Sequence, residues 1–281
     1  MSYRGWLVIV ILFALLFYGG IFLIRTSYFY GETDRPCIDI ENEGIPKFIN
    51  TYFTEIDKIE YIERFRSGYG WNCPDDFESC RIMAHNYVPF DEYTDDKEIK
   101  IFSPINGTII EIWQIYINSS GSWQPVEEDS ATYIIIKSTE YPAFKIKINI
   151  IDIRNMGLQK GMKVYAGQHL GYACTRYANT VTKLRSFGII ISVNICPSGE
   201  MKVSYFDVMA DKIFADYEAR VASSREQFII SKEDRDMDPL NCVIVPNVGY
   251  LGESFIYEKG NLPDWVYFGK DPSDFKIVYE I

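Results

Sequence analysis

The strongest constraint on the fold is the stretch from residue 101 to residue 171, which carries glycine and proline signals at both ends. It opens with Ser-Pro-Ile-Asn-Gly-Thr-Ile-Ile at residues 103–110 and closes with a segment at residues 160–171 that contains three glycines. Glycine permits the tight turns and close backbone approaches that are needed where strands double back. Ile-rich runs lie between the two segments. The stretch therefore predicts a mainly β fold, built as a compact β-barrel or sandwich.

Local patterns extend this prediction along the chain. Lys145, Lys147 and Asn149 alternate with apolar residues, which indicates a strand with one polar face. Asn106-Gly107 is a tight-turn signal, and residues 161–171 are expected to form a hairpin. Strands are predicted at residues 58–66, 131–138, 144–153, 187–195 and 265–268, and residues 100–113 predict a strand, a turn and a second strand. Helices are predicted at residues 46–56, 204–222 and 224–235.

The amino terminus carries an apolar run without a charge, from Trp6 to Ile24, bracketed by Arg4 and Arg25. Its length is at the lower end of what spans a bilayer as a helix. A cleaved signal peptide is the alternative, but it favours a shorter apolar core and an Ala-x-Ala cleavage site, which is missing here. The run predicts an uncleaved single-pass membrane anchor. The charge bias favours a cytoplasmic amino terminus, which would make the rest of the chain extracytoplasmic.

All six cysteines follow this run, and an even number in an exported domain predicts disulfides. Fifteen pairings are possible, and the sequence does not choose among them. The pairs that we favour are Cys73–Cys80 closing a loop, Cys174–Cys196 linking two nearby strands, and Cys37–Cys242. A zinc cluster is the alternative, but no Cys-x-x-Cys pair is present to support it.

The charge balance bears on possible partners. The formal net charge is −11. Such a surface repels phosphate groups, so nucleic acid is not expected as a partner.

Four segments stand in order along the chain. Residues 67–71 read Ser-Gly-Tyr-Gly-Trp, residues 85–88 read His-Asn-Tyr-Val, and the segments at 103–110 and 160–171 follow. Together they resemble the entry loop, the His-x-Gly-x-Asp zinc motif, the Ala-Pro-x-x-Gly-x-Val strand pair and the glycine hairpin of lysostaphin-type zinc endopeptidases. The resemblance covers residues 65–195 and implies a fold of the duplicated-hybrid-motif type. Biotinyl and lipoyl carrier domains have similar hairpins.

The resemblance also implies a zinc ion held by two histidines and one aspartate, and most of these are replaced. The chain has only two histidines. His85 stands at the first ligand position, but Pro89 stands where the aspartate is expected. Gly188 and Ile190 stand at the positions of the last histidine pair. His169 lies in the hairpin, where the family does not use a metal ligand.

A rebuilt zinc site is one way to restore this chemistry. Asp91 lies close to the missing aspartate, and Asp152 aligns best with a further catalytic histidine, so Asp152 is the weak catalytic candidate. Zinc can bind one imidazole and two carboxylates, which makes His85, Asp91 and Asp152 weak metal candidates. The alternative is that these residues are structural. We expect no cofactor, with zinc as the one to test.

The sequence thus predicts four regions and a non-catalytic protein. The regions are a membrane anchor at 1–25, a linker with a short helix at 26–57, a peptidase-like β domain at 58–200 and a helical or irregular C-terminal extension at 201–281. The favoured function is an envelope-associated module that binds a glycan, a peptide or a partner protein in the old substrate cleft. A divergent zinc hydrolase around His85 and a structural component of an envelope complex are the alternatives.

Overall fold

The computed structural model describes residues 36–67, 85–93, 98–117, 123–124, 131–174, 186–197, 199–221, 224–238, 241–246, 253–258, 265–268 and 276–278. Contacts divide the chain into two compact units, Met1–Pro36 and Cys37–Ile281. Apart from Pro36, the described residues belong to the second unit. The predicted anchor at residues 6–24, the predicted pair Cys73–Cys80 and most of the Ser-Gly-Tyr-Gly-Trp segment lie outside the described residues.

The described part of the chain is mainly β, as the sequence predicted. Its strands are β1 (Ile59–Glu63), β2 (His85–Pro89), β3 (Lys100–Phe102), β4 (Gly107–Ile117), β5 (Trp123–Gln124), β6 (Ala131–Ser138), β7 (Phe144–Asp152), β8 (Lys163–Val164), β9 (His169–Ala173), β10 (Phe187–Ile195), β11 (Gly199–Val203), β12 (Asn241–Pro246), β13 (Glu253–Glu258), β14 (Trp265–Tyr267) and β15 (Lys276–Val278).

One large antiparallel sheet dominates the fold. Its order is β15-β14-β1-β2-β10-β7-β6-β4-β5, with β11 beside β10, β9 beside β7, β3 beside β9 and β8 beside β4, while β12 and β13 pair separately. The predicted β fold is confirmed, but the sheet is not closed into a barrel, so the barrel form of the predicted barrel or sandwich is wrong. Alternation along β6 and β7 places Ile134, Ile136, Ile146 and Ile148 in the core, because successive side chains point to opposite faces.

Short helices flank the sheet. They are α1 (Ile40–Glu43), α2 (Asp211–Val221) and α3 (Lys232–Met237), with 3-10 helices η1 (Ile56–Lys58), η2 (Asp91–Tyr93) and η3 (Arg225–Phe228). Phe214 and Tyr217, one turn apart on α2, are buried in the core. Among the described helices, none is long and apolar enough to cross a membrane.

Several predictions of individual helices and of strand pairing were wrong. The predicted helix at 46–56 is not formed, since Ile49 and Thr54 make isolated bridges to Met209 and Ile101 instead. The predicted helix from residue 204 begins only at Asp211. The strand, turn and strand predicted at residues 100–113 are present as β3 and β4, but β3 pairs with β9 while β4 pairs with β6 and β8. The hairpin predicted at residues 161–171 is not formed, because β8 pairs with β4 and β9 pairs with β3 and β7. Gly161 and Gly167 lie in turns, whereas Gly107 begins β4 and Gly171 lies within β9. The glycine positions therefore do not identify which strands pair.

A disulfide joins Cys37 to Cys196, which directly follows β10. Backbone hydrogen bonds support this junction, because Ile38 N donates to Asn194 O (3.0 Å) and Cys196 N donates to Ile38 O (3.1 Å). The predicted pairs Cys174–Cys196 and Cys37–Cys242 are therefore wrong, since each would need a cysteine that this bond uses. The sequence gives no local sign of this pair, because Cys37 meets Cys196 only where Ile38 forms an isolated bridge to Ile195 at the end of β10.

Candidate functional site

Five adjacent strands contribute one residue each to a row across the centre of the sheet. The register pairs Glu63 with Trp265, Asn86 with Gly188, and Gly188 with Asn149. Glu63 adjoins Asn86, because the neighbouring pair is Ile62 with Tyr87. Residues directly opposite each other in an antiparallel pair point to the same face. We call Glu63, Asn86, Gly188, Asn149 and Trp265 the polar row.

Gly188 is the centre of the polar row. A Cβ atom there would lie 2.7 Å from Asn86 Oδ1, 2.9 Å from Asn149 Oδ1 and 2.9 Å from the carbonyl oxygen of His85. Three oxygen atoms therefore surround the space that a side chain would fill. Within the described residues, the Asn149 Oδ1 atom is buried and has no hydrogen-bond partner. The row thus presents hydrogen-bond acceptors, and at least one of them is unused.

The carboxylate of Glu63 accepts hydrogen bonds from Asn86 on the side away from Gly188. The carboxylate is 2% exposed and accepts hydrogen bonds from Ser67 Oγ, from Asn86 Nδ2 and from Asn86 N, the last at 3.3 Å. The bond from Asn86 Nδ2 fixes the orientation of the amide, so its oxygen is directed to the Gly188 side. Glu63 therefore positions Asn86 and is itself occupied by three donors.

A basic cluster continues the same face along β10, since Ile190 and Ser192 follow Gly188 at period two. Lys202 Nζ donates to Ser192 Oγ (2.7 Å) and to Glu200 Oε1 (2.5 Å), and Lys145 Nζ donates to Glu200 Oε2 (3.1 Å). Burial by itself would raise the pKa of Glu200, but the hydrogen bonds and charges of the two lysines outweigh it and lower the pKa to about 2.

His85 lies on the opposite, core face of β2, where it is opposite Ile189. Its ring is 1% exposed and packs against Phe65 and Phe206. Nδ1 lies 2.8 Å from Glu63 O, which can only accept, so Nδ1 carries the proton. Nε2 of the neutral ring then accepts from Ser204 Oγ at 2.7 Å. Burial lowers the pKa of His85 to about 4, against the opposing hydrogen bond to Glu63 O.

The three candidate metal ligands are not brought together. His85 faces the core, whereas Asp91 is exposed in η2. The Asp152 carboxylate is bonded to Arg154 through Oδ1 (3.0 Å to Nε) and Oδ2 (2.6 Å to Nη2). Among the side chains that the structure describes, no three His, Cys, Asp or Glu residues are placed to hold a metal ion. His169 packs against Phe102 and Tyr172 in β9.

The resemblance places His85 at a ligand position, on the core face of β2. Asn86, the next residue, lies on the other face and is paired with Gly188. One signal was available, since Asn149 belongs to the predicted alternation with Lys145 and Lys147. Asn86 and Glu63 gave no signal, because only the register of distant strands brings them beside Asn149.

Comparisons with known proteins show only weak similarity in sequence and in structure. No protein-family model and no curated protein matches the chain. A solved structure described as a LytM-type glycyl-glycine endopeptidase from Ruminococcus gnavus is 17% identical, with a TM-score of 0.29, and the match covers 44% of each chain. The solution structure of lysostaphin is 12% identical, with a TM-score of 0.31 and coverage of 72% of this chain and 78% of that one. The chain thus spans less than half the length of the first structure.

Proposed function

We propose that the domain is a non-catalytic binding module that contacts its ligand through the polar row. The observation that carries this proposal is the buried Asn149 Oδ1 atom, which lacks a partner among the described residues. A buried acceptor without a partner costs about 1–3 kcal/mol of stability. A ligand that donates a hydrogen bond at this point would offset that cost. Asn86 and Asn149 are both partly exposed as residues, but the Asn149 Oδ1 atom itself is buried, so a ligand bonds to this atom only when the Asn149 side chain rotates toward solvent.

The chemistry of the row supports binding and not catalysis. Amide oxygens are neither general bases nor nucleophiles at neutral pH. The Glu63 carboxylate accepts three hydrogen bonds, which leaves it poorly suited to take a proton from a substrate. The imidazole of His85 is on the opposite face, and its Ser204 partner is 0% exposed.

The ligand class follows from the acceptors. Peptide N–H groups, sugar hydroxyls and acetamido groups all donate hydrogen bonds to amide oxygens. We propose a glycan or peptide of a cell envelope as the ligand, with residues 6–24 as a single-pass membrane anchor and the domain outside the cytoplasm. The Cys37–Cys196 disulfide supports an oxidising compartment.

The test replaces Asn149 with leucine, which has a similar shape and no polar atom. We expect Asn149→Leu to weaken binding of the full-length protein to purified envelope polymer by about ten-fold, because one hydrogen bond is lost. We also expect the free energy of unfolding to stay the same or to rise by about 1 kcal/mol, since the substitution removes a buried acceptor that has no partner. Co-sedimentation and urea unfolding measure the two effects.

The matched control is Gln114→Leu, which removes an exposed amide from β4. It is expected to change neither quantity. Equal binding by Asn149→Leu and the unaltered protein would contradict the proposal. So would stoichiometric zinc in the purified protein that disappears in His85→Ala, because that result would favour the divergent hydrolase.

A further inference from the structure

A separate groove shares no residue with the polar row. It has a volume of about 530 Å³ and is lined by the segment at residues 51–55, by η1, by β3, by α2 and by the turn at Gly167. Sites of this size accept small molecules or single side chains. The groove lies entirely within the second unit of the chain, and every lining residue is described.

Apolar and aromatic groups form part of the lining. Phe102, Ile56 and Tyr52 all line the groove and are partly exposed. The hydroxyl of Tyr52 donates a hydrogen bond to Asp216 Oδ2. Burial and the neighbouring Asp216 carboxylate raise the pKa of Tyr52, so the phenol remains protonated at neutral pH. Tyr52 therefore holds the Asp216 carboxylate at the edge of an apolar surface.

The carboxylates of Glu55, Asp57 and Asp216 also line the groove, and they differ in the hydrogen bonds and ion pairs that they form. Glu55 Oε2 accepts from Lys58 Nζ (3.1 Å) and from Lys100 N (2.8 Å). The donor to Asp216 is the neutral phenol of Tyr52, which leaves the charge of Asp216 uncompensated. In the described part of the chain, no lysine or arginine forms an ion pair with Asp216 or with Asp57.

The two nearby cations are engaged elsewhere. Lys58 Nζ also donates to Glu98 O at 2.6 Å. Arg220 donates to Ile56 O (2.5 Å) and to Asp57 O (3.3 Å), both of which are backbone carbonyl groups. These bonds direct N–H groups of both cations to the backbone or to Glu55. The Asp57 charge also acts on Arg220, where it raises the pKa that burial lowers. Asp216 is therefore the lining carboxylate whose negative charge stands beside the apolar surface.

We propose that this groove binds a basic side chain, arginine or lysine, of a partner polypeptide. The aliphatic stem would lie on Phe102 and Ile56, because long basic side chains bury their stems on apolar surface. The cationic head would pair with Asp216, where a charge-assisted hydrogen bond is stronger than a neutral one. The groove combines an apolar surface with an unpaired carboxylate, and a basic side chain complements both.

The test uses a dye-labelled peptide, Gly-Gly-Arg-Gly-Gly, and the full-length protein in detergent. We expect saturable binding by fluorescence anisotropy that weakens as salt is added. Asp216→Asn should weaken binding about ten-fold, since it removes the charge that pairs with the ligand. Asparagine still accepts the hydrogen bond from Tyr52, so the variant changes the charge and leaves the local fold in place.

The control is Glu218→Gln, an exposed position on the same helix that changes the net charge equally. It should bind the peptide as the unaltered protein does. A peptide with neutral citrulline in place of arginine should not bind. The proposal is overturned if binding is not saturable, if Asp216→Asn binds as well as Glu218→Gln, or if the citrulline peptide binds equally. Asn149→Leu should leave peptide binding unchanged, which separates this groove from the polar row.

Discussion

Replacing Gly107 with alanine is expected to destabilise the protein by about 3 kcal/mol, which is at the upper end for a residue that is too large for its site. A Cβ atom at residue 107 would lie 2.5 Å from Lys137 O and 2.5 Å from Ile136 Cγ2. Atoms that are not bonded pack at about 3.5–4.0 Å. Gly107 pairs with Ser138 on β6 and with Val164 on β8, so strands hold it on both sides. The strand cannot move away from one clash without losing its other partner.

Urea-induced unfolding of the full-length protein measures this loss, and Gly161→Ala is the matched control. Gly161 has a φ of +88° and no atom within 4 Å of a Cβ position. Its replacement carries only the backbone cost of a left-handed residue, about 1 kcal/mol. A loss for Gly107→Ala that is no larger than the loss for Gly161→Ala would contradict the expected clash with Lys137 and Ile136.

Acid is expected to weaken the fold through His85, by about 3 kcal/mol between pH 6.5 and pH 4. Burial lowers the pKa of His85 to about 4 in the folded protein, from 6.5 in the unfolded chain. Between these values the unfolded chain binds a proton that the folded protein does not. The contribution of neutral His85 is therefore complete above pH 6.5 and falls as the pH falls toward 4. Unfolding free energies measured in urea at several pH values follow this loss.

His85→Gln separates this effect from other acid effects. The glutamine amide can donate to Glu63 O and accept from Ser204 Oγ, but it does not titrate. We expect the variant to be less stable at pH 7, because the ring no longer packs between Phe65 and Phe206, and to lose most of the slope between pH 6.5 and pH 4. His169→Gln replaces the only other histidine and should keep the slope. A slope that persists in His85→Gln would disprove the assignment.

Local sequence patterns predicted the strands well. Residues 131–138 and 187–195 form β6 and β10 with the predicted bounds, because long β-branched runs favour strands wherever they pack. The topology was harder to predict. Ile101 pairs with Gly171 and Gly107 pairs with Val164, so the two ends of the stretch that carries the glycine signals pair with each other and not within themselves. Pairing at such separation depends on the packing of the whole sheet.

The candidate site was predicted less well, for a related reason. Period-two alternation shows that two faces exist, but it does not show which face meets the core. On β2 that choice decides between His85 and Asn86, and the apolar surroundings of Ile189 and Ile148 select His85 for the core. The chemistry of the polar row depends on Gly188, because the missing side chain leaves space among three oxygen atoms. This space cannot be predicted until the strands on both sides of Gly188 are known.

The Cys37–Cys196 disulfide gives the fold a mechanical property. Force applied to the chain before Cys37 crosses the bond to Cys196 and enters the sheet at the end of β10. That strand is paired with β2, β7 and β11. The load therefore bypasses residues 38–195 along the covalent chain. If the amino terminus is tethered, tension would enter the sheet through β10, a strand held on both sides by its neighbours, and would not run along the covalent chain of residues 38–195 until the disulfide is reduced.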